Sequence, residues 1–119
     1  MVRIMELKDV IHKIGEDYDL MHERFGDDDL LKKFLRMFLS DKSFEETERY
    51  YKANNYENAY ASIHTLKGVV LNLGLMNYGK LVTLVCDDFK YHQPPLKPLK
   101  YREMVKEYKK IVKWLKRIE

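Results

Sequence analysis

Apolar side chains recur along this chain at intervals of three and four, and no stretch sustains the strict alternation of a half-buried strand. The spacing predicts helices throughout. A first segment from about Met5 to Ile14 stops at Gly15, and a second from about Asp17 to Phe25 stops at Gly26, since glycine commonly follows the last periodic residue of a helix. Asp27-Asp28-Asp29 then offers an N-cap and favourable first-turn charge. The helix it opens is predicted to continue through Leu31, Phe34, Leu35, Phe38, Phe44 and Tyr51 and to end near Asn54.

Asn55 can cap the next helix, which stops at Gly74, where glycine accepts positive φ without strain. Another follows to Lys90 with Tyr78, Leu81, Val82, Val85 and Phe89 on one stripe, and the prolines of "QPPLKP" break it. The cleanest periodicity belongs to the last segment, where Tyr101, Met104, Val105, Tyr108, Ile111, Val112, Leu115 and Ile118 are separated by threes and fours. Such a stripe must pack on something. The expected fold is all-α, a single domain over 1–119 forming an up-down-up-down antiparallel four-helix bundle. Its bundle helices are expected over about 28–54, 56–73, 77–90 and 99–118, with two short N-terminal helices covering one end.

With 119 residues the chain can bury a core without disulfide or metal support. Its 22 basic and 19 acidic side chains leave a formal net charge of +3, too small to predict a nucleic-acid or membrane partner. Neither is expected, and a monomer is. The one cysteine, Cys86, cannot form an internal disulfide, no signal-peptide pattern opens the chain, and no apolar run is long enough for a bilayer. A reduced, cytoplasmic, soluble protein is the expectation.

The segment "SIHTLKGVVLNLG", Ser62 to Gly74, sets a histidine, a lysine and a glycine among core-type residues. On a wheel turning about 100° per residue, Ala59, Ser62, Ile63, Leu66, Val69, Val70 and Leu73 occupy one arc, the core stripe. His64 falls on the opposite side, surrounded by Glu57, Tyr60, Ala61, Lys67, Gly68 and Leu71. It is predicted to face solvent. Gly68 sits one turn on along that face, where a mid-helix glycine costs about 1 kcal/mol relative to alanine and no core packing requires it. Tyr60 and Leu71 add apolar surface suited to docking. A neutral imidazole can accept and release a phosphoryl group if it is exposed, has a cation nearby and is not obstructed. His64, Lys67 and Gly68 supply those three conditions.

"HTLKG" followed by "NLG", His64 to Gly68 and Asn72 to Gly74, resembles the core of histidine-containing phosphotransfer (HPt) domains of bacterial two-component phosphorelays. The family's usual form is His-x-x-Lys-Gly with a glycine further along the helix. "GEDYDLMHERFGDDDLLKKFLRMFLSD", Gly15 to Asp41, is similar to the family's N-terminal helix pair and the start of its long first bundle helix, while the last helix matches only in being amphipathic. The resemblance implies that His64 relays the phosphoryl group between receiver-domain aspartates and that Lys67 steadies it. Gly68 would leave room for the receiver, with Tyr60, Ala61 and Leu71 in the docking face. The implied partners are a hybrid sensor histidine kinase and a response-regulator receiver domain. The phosphocarrier would have no cofactor of its own and would not be an enzyme, the receiver supplying Mg²⁺ and most of the catalysis. Two positions depart from the pattern: Val69 stands where serine or alanine is common, and Cys86 stands at about the place of a polar residue, often glutamine, near the phosphorylated ring.

A bundle of this shape acting only as a binding adaptor is the alternative. Metal binding is not expected, because the carboxylate and histidine pairs at i, i+3, Asp9-x-x-His12 and Asp19-x-x-His22, lie in the two short N-terminal segments and a di-iron bundle needs Glu-x-x-His on two helices plus two further glutamates. No Gly-rich phosphate loop, Ser/His/Asp set or nucleophile elbow is present. The nine basic side chains from Lys97 to Arg117 read as the solvated face of the last helix.

Overall fold

The computed structural model describes residues 3–119. Those residues form seven α-helices and no strand: α1 Leu7–Lys13, α2 Tyr18–Phe25, α3 Asp28–Leu39, α4 Ser43–Lys52, α5 Tyr56–Asn72, α6 Met76–Tyr91 and α7 Pro98–Leu115. No helix among them is long and apolar enough to cross a membrane.

The expected caps form. Asp27 accepts from Asp29 N at 2.9 Å at the start of α3, and Asn55 accepts from Asn58 N at 3.3 Å at the start of α5. Gly26 closes α2 at φ +74° and Gly74 follows α5 at φ +83°, the left-handed backbone for which glycine carries no side-chain penalty.

One predicted helix is two. The span 28–54 breaks between Leu39 and Ser43, where Ser40 N bonds Met37 O at 3.0 Å and Asp41 N bonds Phe38 O at 3.1 Å. Asp41 Oδ1 accepts from Ser43 N at 2.9 Å and from the Ser43 hydroxyl, so α4 opens on its own cap. The apolar pattern itself requires a break: Phe38 and Phe44 are six residues apart, which on a continuous helix separates them by about 120°. Interrupting the helix turns Phe44 inward, where its ring stacks on Tyr108 at 3.7 Å while Phe38 meets Tyr108 edge-on at 5.8 Å. At the C-terminus α7 ends at Leu115, short of the expected 118, and Ile118 forms a parallel bridge with Met5, a residue expected in the first helix.

Helix α5 packs between α4 and α6; α7 packs on α6, α3 and α1; and α2 packs on α3 and α1. Leu31, Leu35, Phe38, Ile63, Leu66, Val70, Val82, Phe89, Met104 and Ile111 are buried in one continuous cluster. Polar ties cross it. The buried Tyr78 hydroxyl donates to Met104 O at 3.1 Å, and Tyr101 OH donates to Glu48. Tyr51, Phe89 and Tyr101 stack together at ring separations of 4.0 to 5.8 Å.

The start of α6 carries no cap from its own sequence. Glu16, between α1 and α2, supplies it, accepting from Asn77 N at 3.0 Å and Tyr78 N at 2.8 Å, while Asn77 Nδ2 donates to Gly15 O at 2.7 Å.

Candidate functional site

Helix α5 carries the candidate site. Ala59, Ser62, Ile63, Leu66, Val70 and Leu73 are buried as the wheel requires, and His64, on the opposite side, is exposed. Burying one stripe of a helix between two neighbours orients its other face to solvent. Val69 departs from expectation: it is half-buried and lines an open groove of about 290 Å³ with Phe25, Phe34 and Phe38.

Among the described residues neither ring nitrogen of His64 has a hydrogen-bond partner, and the ring's aromatic neighbour is Tyr60, edge-on with centroids 5.9 Å apart. The other histidines differ. His22 Nδ1 lies 2.8 Å from Asp28 Oδ1, and His92 Nδ1 lies 3.2 Å from the buried carboxylate of Asp88. His12 is exposed, but the cleft it lines holds four carboxylates, Asp9, Glu16, Asp17 and Asp19, against one lysine, Lys8, a balance that disfavours phosphate. His64 has an unengaged ring and a cation, Lys67, one turn on.

Lys67 is half-buried along the seam between α5 and α6. Burial pushes the Cys86 thiol of α6 above its ordinary value, and the Lys67 ammonium acts the other way, so its charge reaches Cys86. Cys86 is itself buried.

Gly68 is half-buried on the His64 side of the helix, and a methyl group there would meet nothing within 4 Å. Neither φ nor internal packing demands a glycine at this position. Gly79 is the opposite case: a methyl there would lie 2.5 Å from Cδ2 of Leu71. Leu71 is half-buried, and its side chain packs against Gly79 across the α5–α6 seam. Its partner, a glycine inside α6, carried no periodicity signal. Of the remaining face, Ala61 is exposed and Tyr60 half-buried.

Comparison with protein-family models, curated proteins and solved structures returned no match. Among the described residues no group of three or more His, Cys, Asp or Glu side chains is arranged to hold a metal ion.

Proposed function

We propose that the protein is a cytoplasmic histidine phosphotransfer carrier, relaying a phosphoryl group through His64 between a hybrid kinase's receiver aspartate and a response regulator's. The observation that carries this reading is the His64, Lys67, Gly68 face: an exposed, unengaged imidazole, a cation one turn on, and a helical glycine that its own chain does not need. In the accepting step an imidazole nitrogen attacks the phosphorus of an aspartyl phosphate. The N–P bond forms as the acyl O–P bond breaks, the aspartate leaves as a carboxylate, and the reverse sequence hands the group on. Lys67 would offset the phosphoryl charge, and Mg²⁺ and the remaining transition-state stabilisation would come from the receiver.

The fold that accompanies this reading is an up-down-up-down four-helix bundle with α3 and α4 together as its first member. The packing of α4 on α5, α5 on α6, α6 on α7 and α7 back on α3 supports it, as do the short connections.

The test is incubation with a panel of receiver domains carrying labelled phosphate. The parent should take up acid-labile label and His64→Gln should take up none. Equal labelling of His64→Gln would refute the carrier. Receiver binding without label transfer from the parent would leave the adaptor reading in its place.

A further inference from the structure

Helix α7 and the loop before it carry two features that the proposed transfer chemistry does not use. Arg102, Lys106, Lys109, Lys113 and Lys116 recur at intervals of four, three, four and three and are all exposed. At about 100° per residue they lie within about 80° of one another, and at about 1.5 Å rise per residue the ridge is roughly 21 Å long. The two acidic residues of α7 are engaged elsewhere, Glu103 with Lys100 at 3.2 Å and Glu107 with Lys110 at 3.5 Å. Among the described residues none of the five ridge cations has an ion-pair partner.

The second feature lies at the N-terminal end of that ridge. Tyr91, Leu96 and Leu99 are 69 %, 65 % and 73 % exposed. Tyr91 ends α6, Leu99 lies in α7, and the loop between them, which carries Leu96, is anchored: the buried Asp88 carboxylate accepts from Leu96 N at 3.0 Å and Lys97 N at 2.9 Å. Leu99, in the first turn of α7, falls on the ridge side of the helix, about 60° from Arg102. A fixed backbone therefore holds large apolar side chains in water beside a line of unneutralised cations.

We propose that this surface docks on an anionic lipid bilayer. A membrane surface offers both parts of the match: a plane of negative headgroups for the ridge and an apolar layer beneath them for Leu96 and Leu99, with the amphipathic Tyr91 ring at the boundary. A nucleic-acid backbone would satisfy the cations but gives the leucines no apolar environment, and carboxylates on a folded protein have no reason to follow an even ridge of this length. Docking is peripheral. Helices α7 and α5 share α6 as a neighbour, and the ridge uses none of the His64 face, so the proposal does not rest on phosphotransfer.

Sedimentation with phosphatidylcholine vesicles, with and without phosphatidylserine, tests it. The protein should pellet only with phosphatidylserine and be released on raising salt from about 0.1 M to about 1 M, where the screening length falls from roughly 10 to 3 Å. Lys106→Gln/Lys109→Gln/Lys113→Gln should weaken partitioning by about tenfold to a hundredfold, and Leu96→Ser/Leu99→Ser by about tenfold or more. All five positions are exposed, and unchanged circular dichroism would show that the fold survives. The proposal is overturned if the parent stays in the supernatant or if either variant pellets like the parent. Capture by a mixed-sequence DNA duplex or by polyglutamate, with no binding to the vesicles, would overturn it as well.

Discussion

Gly68 separates a defect from a device. Its backbone is helical and a methyl there touches nothing, so Gly68→Ala should raise stability by about 1 kcal/mol and Gly68→Gln by somewhat less. If the missing side chain is clearance for a receiver, both variants should transfer phosphate more slowly, glutamine more so than alanine. Thermal midpoints and transfer rates on the same samples check this; a glutamine variant as fast as the parent would remove the clearance argument while leaving His64 in place. Lys67 divides the same way. Its charge reaches Cys86 but it lies off the buried stripe, so Lys67→Ala should leave the midpoint nearly unchanged while slowing transfer by about two- to fivefold, the range for one partly exposed cation. Unchanged kinetics would assign the phosphoryl charge to other groups. The wheel located both residues, because exposure on a helix follows from angle alone. Angle does not reveal that Leu71 also packs against a glycine, Gly79, on the neighbouring helix.

Among the elements, the break between α3 and α4 and the closure between α6 and α7 each turn on one aspartate. Asp41 accepts from Ser43 N at the start of α4, and the expectation of one helix over 28–54 missed the break, although the six-residue step from Phe38 to Phe44 departs from a continuous stripe. Asp88 is a different case. Among the described residues it joins His92, Leu96 N and Lys97 N, and nothing in the apolar pattern marks a carboxylate in a helix interior as the anchor of the following loop. Asp88→Ala should leave two backbone N–H groups without their acceptor and cost about 1–3 kcal/mol. Denaturant titration gives the cost, and faster amide exchange at Leu96 and Lys97 would localise it. Protection equal to the parent's would show that the prolines alone hold the loop.

Across the whole molecule, Glu16 ties the N-terminal helices to the bundle. Burial pushes its carboxyl above the ordinary value of 4.5, outweighing the backbone donors of Asn77 and Tyr78, which act the other way. The sign follows from linkage. A raised folded-state value means that the folded protein binds the proton more tightly than the unfolded chain, so this group makes stability fall as pH rises from 4.5 through the folded value. Glu16→Ala should remove that component of the pH dependence and, by leaving the first turn of α6 uncapped, cost about 1–2 kcal/mol near neutral pH. Denaturant midpoints of both proteins across this range check the two effects; parallel curves would mean that Glu16 does not titrate with folding.

The sequence by itself determined the all-helical class, most helix ends and the outward direction of His64, because propensity, capping and periodicity act between residues a few positions apart. Only the tertiary structure decided which helices meet and what each contact demands. The cap of α6 comes from Glu16, some sixty residues upstream, Gly79 answers to Leu71 across a helix seam, and Ile118 leaves the last helix to pair with Met5. Each joins residues of different elements, which the periodicity within one helix does not relate. A periodic pattern reports that a face is buried without recording what covers it.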